Sequence, residues 1–147
     1  MMLEERNIIR FDPFYFKNGN TSKPKYFVVL KISESDTVFA SLPTSKDAIP
    51  QNHEMECGCI ELPEINLNCF VISANMEITE CGKRFDLRTH MYGHQIDDYS
   101  IKLLNEIYPN EGSDYEVWGK MKEDIFINLI QCFKTSKSVK WKYRRWL

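Results

Sequence analysis

The segment from Lys23 to Lys46 constrains the fold of this chain more than any other stretch. Its residues 27–30 (FVVL) form a short run of β-branched and aromatic side chains, which is typical of a buried strand. Residues 33–36 are polar and favour a turn, and residues 37–42 resume an extended pattern that Pro43 ends. The segment therefore predicts an antiparallel β-hairpin.

The two ends of this hairpin carry cations and hydroxyl groups. In an antiparallel pair, the beginning of one strand lies beside the end of the next. We therefore expect Lys23 and Lys25 to lie close to Thr44, Ser45 and Lys46. Ammonium and hydroxyl groups together suit an anion, because both donate hydrogen bonds and the ammonium adds charge. An equally good alternative is that Thr44 and Ser45 only cap the end of the strand.

Short strands are also predicted on both sides of the hairpin. Residues 8–16 (IIRFDPFYF) predict a strand that bends at Pro13, because proline has no N–H to donate to a ladder. Residues 57–62 and 69–74 predict two further strands, and residues 78–85 add one more strand or a turn. This spacing favours a small β-barrel of five to seven strands, which would occupy about residues 8–85.

The pattern changes to a helical one after Asp86. Residues 97–108 carry apolar side chains at helical spacing, and Ser113 with Glu116 forms a capping-box pattern. We predict a helix over about 114–134, within a helical part that spans about 95–135. The expected fold is thus mainly β with C-terminal α-helices (α+β), with two or more helices, in one domain over residues 1–147.

The last residues, about 136–147, form a basic tail. Six lysines and arginines and no acidic residue follow Asp124, although the whole chain has a formal net charge of −2. Aromatic residues alternate with these cations in the sequence KWKYRRW. This mixture is typical of base stacking beside phosphate neutralisation, and the alternative is a solvated terminal helix. The residues that would contact a nucleic acid are Trp141, Tyr143, Arg144 and Arg145.

The cysteines offer a weaker candidate site. Cys57 and Cys59 form one close pair near His53, whereas Cys69 and Cys81 are isolated, so a zinc site with two close pairs is not indicated. We expect Cys57 and Cys59 to be small core residues and the chain to bind no metal. The odd count of five cysteines argues against a disulfide framework and for a reducing, cytoplasmic compartment.

Membrane insertion and secretion are not indicated by the sequence. No apolar run approaches the roughly 18 residues that a membrane helix needs. The first residues, MMLEERNIIRF, mix acids and bases without an apolar stretch, so we expect no secretory signal. We therefore expect no membrane partner.

Two histidines, His90 and His94, are candidates for proton transfer. Histidine titrates near neutral pH and serves as a general acid or base in many enzymes. Gly93 lies between the two and argues against a regular helix there. Hydrogen bonding within a loop is therefore the alternative role for both histidines.

Several short motifs can be taken together with the hairpin. They are an Asp12-Pro13 step in the first strand, a polar loop with Gly19, the step Lys23-Pro24-Lys25, and the run Leu42-Pro43-Thr44-Ser45. Over about residues 8–75, this arrangement resembles the MazF/Kid (PemK-like) toxin ribonucleases. The ends of the hairpin look even more similar to the ribonucleases of type III toxin–antitoxin systems, which RNA holds inactive.

The resemblance implies an SH3-like barrel and an endoribonuclease that uses neither a metal nor a cofactor. The RNA 2′-hydroxyl would attack the adjacent phosphate, which Lys25 would stabilise and Thr44 and Ser45 would orient. Lys25 is preferred because the family usually has arginine where Lys23 stands, and lysine lacks the bidentate fork of arginine. Further RNA contacts are then expected from Lys23, Lys46, His90, His94, Trp141, Tyr143, Arg144 and Arg145.

The same resemblance implies particular partners. They are an RNA substrate and an antitoxin that is itself RNA or protein, in a homodimer or a toxin–antitoxin oligomer. The alternative function is a non-catalytic SH3-like module that binds RNA or a protein. Such a module would keep the fold and the basic tail but would cut no strand.

Overall fold

The computed structural model describes residues 1–53 and 55–147, which form eight strands and three α-helices. The strands in chain order are β1 (Asn7–Phe14), β2 (Lys23–Ile32), β3 (Thr37–Ser41), β4 (Gly58–Leu62), β5 (Leu67–Ile72), β6 (Thr89–Tyr92), β7 (Asp97–Ser100) and β8 (Tyr115–Lys120). The helices are α1 (Ile101–Ile107), α2 (Glu123–Lys134) and α3 (Trp141–Arg144). The expected class, mainly β with helices, is confirmed.

The strands form two antiparallel sheets. The large sheet has the order β7-β3-β2-β1-β8, and the small sheet has the order β4-β5-β6. An isolated bridge between Thr44 and His90 connects the segment after β3 to β6. The prediction of a closed barrel is not met over the described residues, because β7 and β8 lie at opposite edges of the large sheet and do not pair.

The predicted hairpin is present and consists of β2 and β3. Val28 pairs with Ser41 and Ile32 pairs with Val38, so the two strands run antiparallel as expected. The bend that Pro13 predicts is also confirmed, since the register between β1 and β2 shifts between Phe11 and Phe14. The local signals in this part of the sequence therefore agree with the tertiary structure.

The prediction of one helix over about 114–134 is wrong in its first third. Residues 115–120 form the edge strand β8, in which Val117 pairs with Ile9 of β1. The Ser113–Glu116 pattern therefore caps no helix, and α2 begins only at Glu123. Pairing with β1 outweighs the local helical signal, because the ladder satisfies the backbone of Tyr115–Lys120 and buries Tyr115.

The region predicted as a helix over 97–108 also begins with a strand. Residues 97–100 form β7, which pairs with β3 and ends at Ser100. The Ser100 hydroxyl then accepts a hydrogen bond from the Leu103 N–H and caps α1. Helical spacing was thus correct from Ile101 onward.

The core lies on both faces of the large sheet. One face carries an aromatic cluster in which the Phe11 ring lies 5.4 Å from Phe27 and 4.4 Å from Tyr108. The other face packs on the small sheet and on α2, where Leu129 and Phe133 are fully buried. This alternation follows from the period of two along β1 and β2.

A disulfide between Cys59 and Cys132 joins β4 to α2. The odd cysteine count argued against a disulfide framework, yet one bridge forms, because the tertiary fold brings together two cysteines that are 73 residues apart. Cys57 and Cys59 are also not core residues, since both lie at the surface. Among the described helices, none is long and apolar enough to cross a membrane.

Candidate functional site

The hairpin ends open into a cleft of about 870 Å³, which we call the lysine cleft. Its walls are the loop between β1 and β2, the start of β2, the segment after β3, the segment after β6, and the residue before α3. Its charged lining consists of Lys17, Lys23, Lys25, Lys46 and Lys140, with Asp97 as the acidic residue among the described lining positions. Asp97 Oδ1 lies 3.3 Å from Lys17 Nζ, so these two charges offset each other. The other four lysines leave the cleft strongly cationic.

Lys25 is a half-buried cation of the cleft, and its pKa is lowered. It lies on β2, two residues after Lys23, so both side chains leave the same face of the strand. Burial first, and the charge of Lys23 second, lower the pKa of Lys25 from 10.5 to about 8. Lysines with a lowered pKa are better acids and are concentrated at functional sites.

The segment after β3 brings Thr44 and Lys46 to the cleft. The backbone of Thr44 is held in place because its N–H and C=O both bond to His90 of β6, at 2.9 and 2.7 Å. The Thr44 hydroxyl accepts a hydrogen bond from the Lys46 N–H at 3.2 Å. This bond is the capping interaction that was the alternative role predicted for Thr44. It uses only a lone pair of the oxygen, so the hydroxyl proton stays free to donate to a ligand. Ser45 is exposed and lies outside the cleft lining.

Tyr92 fixes this segment from the small sheet. Its hydroxyl donates to the Lys46 carbonyl at 2.7 Å and accepts from the Ala48 N–H at 2.8 Å. Burial raises the pKa of the Tyr92 hydroxyl, so the group stays protonated and keeps both bonds at neutral pH. The position of Lys46 in the cleft therefore depends on β6.

The two histidines lie in different environments. His94 is exposed and lines the cleft, with its ring 5.7 Å from that of Tyr92. His90 is only 1% exposed, stacks on Tyr92 at 5.9 Å and has its Nε2 3.7 Å from Asp47. The expected RNA contact by His90 is therefore corrected, because its ring lies behind the wall of the cleft.

The basic tail folds back on the protein. Tyr143 is 2% exposed and its hydroxyl donates to Asp98 of β7 at 2.9 Å, so it is not available for base stacking as predicted. Trp141 is 65% exposed, and the Arg144 guanidinium lies 5.3 Å from its ring. Arg145 lies at the surface over Trp146. The tail reaches the cleft itself through Lys140.

Several residues of the cleft were not predicted from the sequence. Among them are Lys17, Tyr92 and Lys140, which come from three distant parts of the chain. Lys17 and Lys140 had a signal, since each is a cation beside aromatic residues. Nothing local distinguishes Tyr92, because its role arises from bonds to residues more than 40 positions away.

The arrangement suits a ligand with several negative charges. Five ammonium groups surround one volume, and the rings of Phe16, Tyr92 and Tyr99 add apolar surface between them. Lysines neutralise phosphates and aromatic rings stack on bases, which is the combination that single-stranded nucleic acids need. No protein-family model matches this chain, and neither a curated protein nor a solved structure does.

Proposed function

We propose that this protein is an endoribonuclease that cleaves RNA in the lysine cleft without a metal ion. The observation that carries the proposal is the position of Lys25, half-buried beside Lys23 and facing the same cleft as Thr44 and His94. Its ammonium group would stabilise the charge that develops on a phosphate bound in the cleft, and groups of that kind supply a large part of enzymatic rate enhancement.

The proposed reaction gives one task each to His94 and Thr44 and two tasks to Lys25. The RNA 2′-oxygen attacks the adjacent phosphorus, and His94 takes the 2′-hydroxyl proton. Lys25 and the Thr44 hydroxyl donate to the phosphate oxygens as their charge grows. The bond from phosphorus to the 5′-oxygen then breaks, and the leaving oxygen takes a proton from Lys25, whose lowered pKa makes it the more effective acid.

The remaining lysines would bind the RNA backbone on either side of the cut. Lys23, Lys46 and Lys140 line the same cleft, and Trp141 with Arg145 continues the cationic and aromatic surface beyond Lys140. An antitoxin, whether RNA or protein, would act by covering this cleft. That part of the proposal rests on the resemblance of the hairpin motifs to toxin ribonucleases.

The test is cleavage of single-stranded RNA in the presence of a metal chelator. The expected products end in a 2′,3′-cyclic phosphate and a 5′-hydroxyl, because the 2′-oxygen is the nucleophile. Lys25→Met should remove this cleavage, whereas Lys31→Met should not, since Lys31 lies on the same strand but is paired with Glu5 at 3.5 Å. Cleavage that is equal in the two variants would contradict the assignment.

One observation favours the alternative of a non-catalytic RNA-binding module. No hydrogen bond to another described residue orients the His94 imidazole, although a general base is normally held by one. Five lysines are sufficient to bind RNA without cutting it. Salt-sensitive binding of intact RNA, with no new RNA ends, would support this second function.

A further inference from the structure

The end of the chain presents two tryptophans to solvent, although tryptophan is a highly buried residue on average. Trp141 is 65% exposed and Trp146 is 49% exposed. Each ring carries an arginine, since the guanidinium carbons of Arg144 and Arg145 lie 5.3 and 5.4 Å from the centres of the Trp141 and Trp146 rings. Both distances allow a cation–π interaction. We call these four residues the tryptophan surface.

Buried neighbours hold the tryptophan surface in place. The Tyr143 ring packs on that of Phe39, with 5.6 Å between their centres, and its hydroxyl donates to Asp98. Val139, which lies just before α3, is also buried. The segment is therefore docked on the protein and is not a solvated tail. A ligand that binds here meets rings that are already ordered, which lowers the entropic cost of binding.

The tryptophan surface begins where the lysine cleft ends. Lys140 lines the cleft and directly precedes Trp141 in the chain. Among the ion pairs of residues 1–53 and 55–147, none involves Lys140, Arg144 or Arg145. A phosphate backbone that leaves the cleft past Lys140 therefore meets cations that no carboxylate offsets, beside rings on which bases can stack.

The arrangement of rings and cations favours a nucleic acid over a membrane. A helix that lies on an anionic membrane separates an apolar face from a charged face. Here α3 has only four residues, and the arginines lie on the tryptophan rings themselves. A single strand, in which bases alternate with phosphates, matches this interleaving of rings and cations.

We propose that the tryptophan surface is a second RNA-binding site, which takes a single-stranded part of the RNA outside the lysine cleft. One base stacks on Trp141 and another on Trp146, and the two arginines contact the neighbouring phosphates. Double-stranded RNA does not bind in this way, because its bases are already stacked on one another. The inference rests on the proposed function for the identity of the ligand, but it does not depend on cleavage.

The first experiment measures binding of a single-stranded RNA of about ten nucleotides in which every 2′-oxygen is methylated, so that it cannot be cut. Trp141→Ala and Trp146→Ala should each weaken binding about 5- to 150-fold, as expected for the loss of one stacked base. Trp141→Phe should weaken binding less, because an aromatic ring remains. Trp141→Ala should not change the binding of the same RNA annealed to its complement.

Leu103→Ala is the matched control. Leu103 is an apolar side chain of similar exposure, at 54%, and it lies on α1 outside the lining of the lysine cleft. This variant should bind the methylated RNA like the unchanged protein. Equal losses in Leu103→Ala and Trp141→Ala, or no loss in Trp141→Ala, would overturn the proposal. Tighter binding to vesicles of anionic phospholipid than to the single strand would also overturn it.

Cleavage of unmodified RNA separates this inference from the proposed function. Trp141→Ala should raise KM and leave kcat unchanged, because the stacking contact is the same before and during the reaction. If the unchanged protein cuts no RNA but Trp141→Ala weakens binding, the proposed cleavage fails and the second site stands. If the protein cuts RNA and the tryptophan variants bind it normally, cleavage stands and the second site fails.

Discussion

The lysine cleft differs in its chemistry from a second cavity between β4 and α2, which we call the sulfur pocket because Cys57, Cys59, Met76 and Cys132 are among its lining residues. The cleft, at about 870 Å³, is lined by five lysines and one aspartate, and the pocket, at about 510 Å³, is lined by neutral residues and four sulfur atoms. The chain as a whole has a formal net charge of −2, so its overall charge describes neither cavity. The local charge of each cavity, and not the total charge of the chain, therefore determines which ligands it can bind.

The two cavities also contribute differently to stability. In the cleft, burial and like charges disfavour the protonated form of Lys25, which its lowered pKa reflects. Beside the pocket, a disulfide ties β4 to α2 and restricts the unfolded chain. We infer that the rest of the fold holds the cleft in a costly arrangement, whereas the disulfide beside the sulfur pocket stabilises the fold.

The largest expected difference between the two regions is the effect of Lys25→Met. We expect cleavage of RNA to fall about 100- to 1,000-fold, because one preformed electrostatic contact to the transition state is lost. The free energy of unfolding should stay equal or rise, since a half-buried cation is removed. The measurements are kcat/KM on a single-stranded RNA and denaturant unfolding, with Lys31→Met as the control. A parallel loss of activity and stability would mean that Lys25 is only structural.

The disulfide should show the opposite pattern. Reduction of Cys59–Cys132 should lower the free energy of unfolding by about 2–4 kcal/mol, because the bridge closes a long loop in the unfolded chain. RNA binding at a temperature where the protein remains folded should change little, since the bridge lies outside the lysine cleft. Urea unfolding with and without a reductant measures the first effect. A large loss of RNA affinity in the folded, reduced protein would show that the two cavities are coupled.

Tyr92→Phe tests whether the small sheet positions the cleft. The change removes two hydrogen bonds of the Tyr92 hydroxyl, the one that it donates to the Lys46 carbonyl and the one that it accepts from the Ala48 N–H. We expect a loss of about 1–2 kcal/mol in stability, because a partly buried backbone N–H loses its acceptor. RNA affinity should fall together with kcat/KM. Both are measured well below the unfolding transition of the variant, so that a local effect is separated from general unfolding.

The smallest expected effect is a change in pH dependence. If protonated Lys25 is the active form, cleavage should decline as the pH rises through about 8, where Lys25 loses its proton. Lys23→Gln removes the like charge that helps to lower this pKa, so the decline should move to higher pH. The decline in cleavage should still begin below pH 10.5, because burial is the larger cause of the lowered pKa of Lys25 and is still present in the variant. An unchanged pH profile in Lys23→Gln would argue against Lys25 as the titrating group.

The N-terminal part of the fold could be predicted from local patterns. The hairpin of β2 and β3 and the bend at Pro13 follow from a buried run, a polar turn and a missing N–H. The convergence of Lys23 and Lys25 with Thr44 and Lys46 on one cleft also follows, because antiparallel pairing sets which ends meet. Ser45 departs from the prediction because the tight turn after Thr44 points it to solvent.

The C-terminal part could not be predicted in the same way. Residues 115–120 have a capping pattern before them, yet they form a strand because the free edge of β1 accepts them. His90 and Tyr143 look like surface residues by type, but the core buries both. Their burial depends on partners such as Asp47 and Asp98, which are more than 40 residues away in sequence.

The sequence alone determined the class of the fold, the hairpin and the cationic character of its ends, since these depend on neighbouring residues. The tertiary structure decided that the strands form two open sheets, that Lys17 and Lys140 join the lysine cleft, and that Cys59 meets Cys132. The physical reason is the range of the interactions. Turns and strand propensities act over a few residues, whereas sheet edges, clefts and disulfides depend on which distant segments pack together.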